Sequence, residues 1–252
     1  MDFLANYFGS LNPMSFLSAL PGNIAQGIIW GLMGLGVFLT FKLLNFADLS
    51  VDGSFATGGA VTAVMLINGC PVWATIIVAI LAGLAAGLVT GLLHTLLGIP
   101  DILAGILTQI ALYSINLNIM GKSNLPISYR NYTLIVSASN INMAILVGLG
   151  ICAVVIAAMY WYFGTEQGST IRSTGSNPAM SKAQGININF TKVIALALSN
   201  GLVALSGSLF AQYQGFADIN MGRGAIVIGL FHLRRTYFDE FTALEHTQQA
   251  CL

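Results

Sequence analysis

The chain has 252 residues, 56% of them hydrophobic and only 7% charged, and its nine basic and nine acidic side chains cancel. An ordinary soluble domain is about 25% charged, so a mean hydropathy of +0.81 excludes a water-bathed exterior and makes lipid the main solvent. The balanced charge, with no basic block and no aromatic-basic alternation, gives nucleic acid nothing to bind.

A hydrocarbon core about 30 Å thick takes about 20 apolar residues per helix, because lipid leaves backbone polar groups no partner outside their own helix. Spans are predicted over 24–43, 54–68, 72–97, 102–120, 142–163 and 191–213, with an incomplete seventh from 224. The predicted fold is therefore all-α, a polytopic transmembrane helix bundle. Before the first span stands Asp2 and no basic residue, so that run lacks the charged start of a secretory signal and is expected to stay in the mature chain. Gly27 and Gly31 in the first span, and Gly83, Gly87 and Gly91 in the third, recur every four residues. Such a stripe lets helix backbones approach closely.

Between the first two spans, Asn45 to Ser54 inserts an amide and two carboxylates, Asp48 and Asp52. Two readings stay open. In one, the break lines a solute pathway, as discontinuous transporter helices do, with Asn45, Asp48, Ser50 and Asp52 as candidates. In the other it is a loop whose Ser50 or Asp52 caps the next helix. The fourth span opens with Pro100 and Asp101, and Thr108, Gln109, Tyr113 and Asn116 then recur at helical steps as one polar face. These four are the remaining pathway candidates, with interhelical hydrogen bonding as the alternative.

His94 near the third span's end has no second histidine at i+4 and no acidic metal partner close in sequence, and is expected to be an interfacial side chain. Cys70, Cys152 and Cys251 lie far apart without metal-ligand spacing. No cofactor or metal is called for. In Gly222-Arg223-Gly224, Val227 stands where a nucleotide loop needs its third glycine, so no nucleotide site is visible. Tyr160 to Phe163 close the fifth span with the aromatic residues a membrane interface favours.

The segment 164–189 holds Arg172 and Lys182 against one acid, Glu166, which places it in the cytoplasm. Counting back puts the N-terminus outside, unless the short second span is a re-entrant half-helix. Gly168, Ile171, Arg172, Gly175, Asn177, Gly185 and Ile186 form the pattern G-x-x-I-R-x-x-G-x-N-x(7)-G-I. It resembles the coupling loop of the branched-chain amino acid and sugar class of bacterial ABC permeases, departing from it at Ser173 and Ser181, where alanine is common. Asp48 to Ser54 resembles the D-L-S-V-G-S turn of sugar-type members, with Asp52 inserted. The run 42–59 is closer to a branch with some members linked to aromatic amino acid uptake.

The resemblance covers roughly residues 20–230. It implies a transport subunit without its own nucleotide site, in the bacterial inner membrane, working by alternating access on a small polar solute such as an amino acid. It also implies an ABC ATPase, an extracytoplasmic solute-binding protein and a second permease copy as partners. Arg172, Gly175, Asn177 and Gly185 become candidates for coupling to the ATPase. Residues 1–230 then form the permease domain, and the polar tail 231–252 departs from the family as a truncated or frameshifted end would, or as an interfacial helix. An ion-coupled secondary transporter or an integral membrane enzyme remain the alternatives; neither inverted repeats nor a clustered catalytic set is evident.

Overall fold

The computed structural model describes residues 13–127, 135–136 and 141–229, with side chains from 19 onward. The tail 231–252, Cys251 and the continuation of the seventh span lie outside these residues. The helices are α1 (Pro13–Phe38), α2 (Val51–Ile67), α3 (Val72–Leu97), α4 (Asp101–Met120), α5 (Ile141–Phe163), α6 (Glu166–Ser176), α7 (Pro178–Ala183) and α8 (Ile188–Gln214). A π-helical turn, Leu39–Leu43, ends α1, and the chain is helical again over 225–229. Among the described residues, five helices are long and apolar enough to cross a membrane, and α2 is a shorter apolar sixth.

Helix directions follow from side-chain registers against α8, the axis of the bundle. Gly22 meets Tyr213 and Gly36 meets Val203, so α1 runs antiparallel to α8. Ser54 bonds Asn200 and Thr62 bonds Ser208, so α2 runs parallel to it. Gly83 lies against Asn200 and Gly91 against Val193, which makes α3 antiparallel. Gly105 beside Leu49 and Gly53 beside Leu112 set α4 parallel to α2. The second span therefore continues across the bundle instead of returning on itself, and the start of α1 lies on the face opposite 164–189.

The stripe in α3 packs as its spacing predicts. A Cβ at Gly87 would collide with the Leu196 carbonyl, and one at Gly83 with Ala204 and the Asn200 carbonyl, so the α3 and α8 backbones touch. Gly27 and Gly31 differ: a Cβ there meets nothing within 4 Å. In α1 the close approach to α8 falls instead at Gly36, against Val203 and the Ser199 carbonyl. Their four-residue spacing places Gly27 and Gly31 on one face of α1, but it is not the face that meets α8.

At the end of the bundle opposite 164–189, β1 (Asn124–Pro126) pairs antiparallel with β2 (Phe216–Asp218), in the register Leu125 to Ala217. This ribbon ties the end of α4 to the end of α8. Trp30, Phe55 and Phe210 meet ring to ring at 5.4–5.5 Å where α1, α2 and α8 converge. Tyr160 and Trp161 are 85% and 74% exposed, which suits the interfacial place their sequence suggests.

Candidate functional site

Two polar regions lie where α2 begins, and they differ in kind. The first is closed. After the π turn, the chain reverses at Asn45, whose φ of +54° is the left-handed conformation that asparagine tolerates better than most residues. It then runs back into the bundle to Ser50. The Ser50 N–H and Oγ both donate to Asp48 Oδ1, at 2.8 and 2.5 Å. From the middle of α8, Asn200 Nδ2 donates to Asp48 Oδ2 at 2.8 Å and to the Leu196 carbonyl at 3.0 Å. Asn200 Oδ1 accepts from Ser54 Oγ at 2.6 Å and from Ser50 Oγ at 3.2 Å.

Asp48, Ser50, Ser54 and Asn200 are all fully buried. A buried carboxylate is costly unless hydrogen-bonded, and this one is satisfied from two elements 152 residues apart in sequence. Ser50 occupies the cap position of α2 but makes no side-chain cap bond; its hydroxyl is spent on Asp48 and Asn200. Since Asn200 stands mid-way along a membrane-spanning helix, the knot sits deep in the bundle.

The second region is an open cleft of about 320 Å³ lined by Asp52, Gly53 and Ala56 of α2, Gln109, Tyr113 and Asn116 of α4, and Ile219 and Arg223 beyond β2. It gathers four of the eight pathway candidates. The Asp52 carboxylate accepts the backbone N–H groups of Gly224 at 3.3 Å and Ile226 at 3.1 Å, so it holds the start of the helical turn over 225–229. Gly222 permits this by resting on the Asp52 backbone, where a Cβ would collide with the Asp52 carbonyl. Asn116 is fully buried, and neither its Nδ2 nor its Oδ1 has a partner.

Thr108 is buried and returns its hydroxyl to the Ala104 carbonyl at 3.0 Å, a bond within its own helix. Asn45 lines a different cavity, of about 390 Å³, between Phe41, Phe46 and Ala47 and the Pro100–Ile102 turn. Three polar residues of the two sites, Ser54, Asn200 and Arg223, were not among the sequence candidates. Ser54 and Asn200 look like any polar residue in an apolar span, and Arg223 stands in the Gly222-Arg223-Gly224 run, which carries no nucleotide-loop pattern.

His94 has more partners than its sequence neighbourhood suggests, because the 98–100 turn brings Asp101 back to it. Its Nδ1 lies 2.9 Å from the Ile99 carbonyl and 3.1 Å from Asp101 Oδ1, and its Nε2 lies 2.9 Å from Lys192 Nζ. Lysine offers only donors, so Nε2 accepts and the proton sits on Nδ1. The imidazole thereby joins α3, α4 and α8 at one face.

The 164–189 segment folds as α6 and α7. Gly168 lies against Phe163, Ile171 is buried, and Gly175 rests on the Leu43 carbonyl, so these residues dock α6 on the bundle. Arg172 Nη2 donates to the Phe163 carbonyl at 2.7 Å. Asn177 caps α7 by accepting from Met180 N–H at 3.0 Å. Gly185 takes a φ of +82°, open to glycine without strain. Pro178, Ala179 and Met180 are exposed.

Alternating apolar helices around a central axis, with polar side chains held at depth, define a multi-pass membrane helix bundle. A family model described as "Branched-chain amino acid transport system / permease component" matches residues 22–231, and the chain belongs to that family. A tyrosine transport system permease protein of Clostridioides difficile R20291 is 43% identical over 234 residues, covering 92% of this chain and 78% of the relative. An uncharacterized protein of Rickettsia prowazekii is 31% identical over 207 residues, 82% of this chain and 72% of the relative. The D-allose transport system permease protein AlsC of Escherichia coli K12 is 27% identical over 222 residues, 86% of this chain and 67% of the relative. No solved structure matches the chain. The family, the tyrosine relative and the D-allose relative are described as permease components of transport systems, not enzymes.

Proposed function

We propose that this chain is the membrane permease of a bacterial ABC importer for an amino acid, driven by a partner ATPase and loaded by an extracytoplasmic solute-binding protein. Two copies enclose the pathway in the inner membrane, and ATP-driven closure switches its access from one side to the other. The observation that carries this reading is the form of 164–189. It is two short helices clamped to α1 and α5 by Gly175 and Arg172, with the Pro178–Met180 corner free on the outside. A rigidly clamped corner transmits a push from a docked ATPase into the bundle. Arg172, Gly175, Asn177 and Gly185 shape and seat it, and the exposed corner makes the contact.

Within the bundle, the pathway wall is the α2–α4 cleft with Asp52, Gln109, Tyr113 and Asn116, while Asp48 and Ser50 brace the break between the first and second spans. Asn45 turns the chain, and Thr108 stays within its helix. The tyrosine permease at 43% identity favours an amino acid as the solute.

The test is reconstitution of the chain with its ATPase and binding protein in proteoliposomes. ATP-dependent uptake of L-tyrosine is expected, and replacing Met180 with Asp is expected to release the ATPase on co-purification. Uptake driven by an ion gradient with no ATPase present would overturn the proposal in favour of a secondary transporter.

A further inference from the structure

The α2–α4 cleft contains one acid and one base, Asp52 and Arg223. Among the described residues they form no ion pair with each other, and the Arg223 guanidinium has no hydrogen-bond partner; its backbone N–H alone is bonded, to the Asn220 carbonyl at 3.0 Å. Among the described residues Asp52 is engaged only with two backbone N–H groups, and each carboxylate oxygen has a further lone pair to offer. Arg223 is exposed and Asp52 half-buried, so both charges are open to a solute that enters the cleft. The buried amide of Asn116 adds a second vacancy of a different kind, one donor group and one acceptor group unpartnered on the same wall. Leaving such a group unmade is unfavourable, and a polar solute in the cleft removes that penalty.

We propose that this cleft is a solute station that binds an α-amino acid as its zwitterion, the carboxylate on Arg223, the ammonium on Asp52, and the Asn116 amide completing the hydrogen bonding. This deepens the importer reading and rests on it. The arrangement discriminates by charge. An uncharged sugar leaves both Asp52 and Arg223 unanswered, an amine without its carboxylate leaves Arg223, and an acid without its ammonium leaves Asp52. Tyr113, 42% exposed on the same wall, supplies an aromatic edge for the side chain. The cleft's volume of about 320 Å³ is within the range of small-molecule sites, roughly 300–1,000 Å³.

The experiment uses the full complex of permease, ATPase and binding protein in proteoliposomes, with L-tyrosine, tyramine, 3-(4-hydroxyphenyl)propanoate and an uncharged hexose as probes. Variants are accepted once they co-purify with the ATPase, which shows that they fold. At saturating L-tyrosine-loaded binding protein, Arg223→Gln and Asn116→Leu are expected to lower the import rate about tenfold, the loss typical of a hydrogen bond to a charged or buried group. The half-saturating concentration of binding protein should not move, and Arg223→Lys should recover most of the rate. L-tyrosine should also raise the melting temperature of the solubilised wild-type permease, whereas tyramine and the propanoate should not. A wild-type rate and a wild-type thermal shift in Arg223→Gln would overturn the station and leave the importer standing. ATP-driven import of the hexose with none of L-tyrosine would overturn the station together with the amino acid as solute. No ATP-driven import of any probe would overturn the importer reading itself, and the station with it.

Discussion

The Asp48 knot and the Asp52 cleft begin four residues apart in sequence and have opposite logic. In the knot every polar group is answered: Asp48 by Ser50 and Asn200, Asn200 by Ser54 and Leu196. In the cleft the groups are left available, with Asn116 unpartnered and Asp52 and Arg223 sharing a cavity without meeting. Satisfied buried networks hold a structure together, and unsatisfied ones mark where something else binds. The short interval from Asp48 to Asp52 thus separates a brace from a wall, because the chain entering α2 turns the Asp48 carboxylate to Asn200 of α8 and the Asp52 carboxylate to the 224–226 backbone beside the cleft.

Breaking the brace should have the largest effect. Asp48→Ala takes the carboxylate acceptor from the Ser50 N–H and from one Asn200 Nδ2 hydrogen, leaving Nδ2 only the Leu196 carbonyl and the Ser50 hydroxyl only Asn200 Oδ1, and is expected to cost about 3 kcal/mol, read as a lowered or lost melting transition in detergent. Gly222→Ala comes next. Its Cβ meets the Asp52 carbonyl, and such overpacking costs about 1–3 kcal/mol, which should lift the Arg223 turn away from the cleft and lower import along with stability. Asp52→Asn is milder for the fold, since the amide keeps one acceptor for the 225–229 turn, and a stability loss of about 1 kcal/mol is expected with a larger loss of import. Gly31→Ala touches neither region. With nothing within 4 Å of its Cβ, it should leave the melting temperature within about 0.5 kcal/mol equivalent of wild type.

The spans were legible because their cause is local. Apolar length fixes where a helix crosses, and the expected 72–97 matches α3 (Val72–Leu97) at both ends. The last long span begins earlier than expected, at Ile188, because Asn187 caps it by accepting from Phe190 N–H at 3.2 Å. The second begins at Val51 instead of 54. The polar face of α4 was visible as a period, and three of its residues do share the cleft. Partners were not visible, because nothing in Asp48 or Asn200 signals a contact across 152 positions. The His94 contact with Asp101 escaped for a related reason: seven residues apart, they meet only because α3 ends and α4 starts within a tight turn. The spacing of Gly27 and Gly31 matched that of the α3 stripe, yet spacing alone does not say which face of a helix meets its neighbour.

A paired substitution tests the contrast most directly: Asn200→Leu and Asn116→Leu, each measured for melting temperature in detergent and for ATP-driven uptake per folded transporter. Removing Asn200 leaves Asp48 short of a donor, so the first variant should melt markedly lower than wild type. Removing Asn116 deletes an amide that has no protein partner, so the second should melt at or above wild type while its uptake falls about tenfold. Equal thermal losses in the two variants, or full uptake by Asn116→Leu, would contradict the division of the α2 start into a brace and a wall.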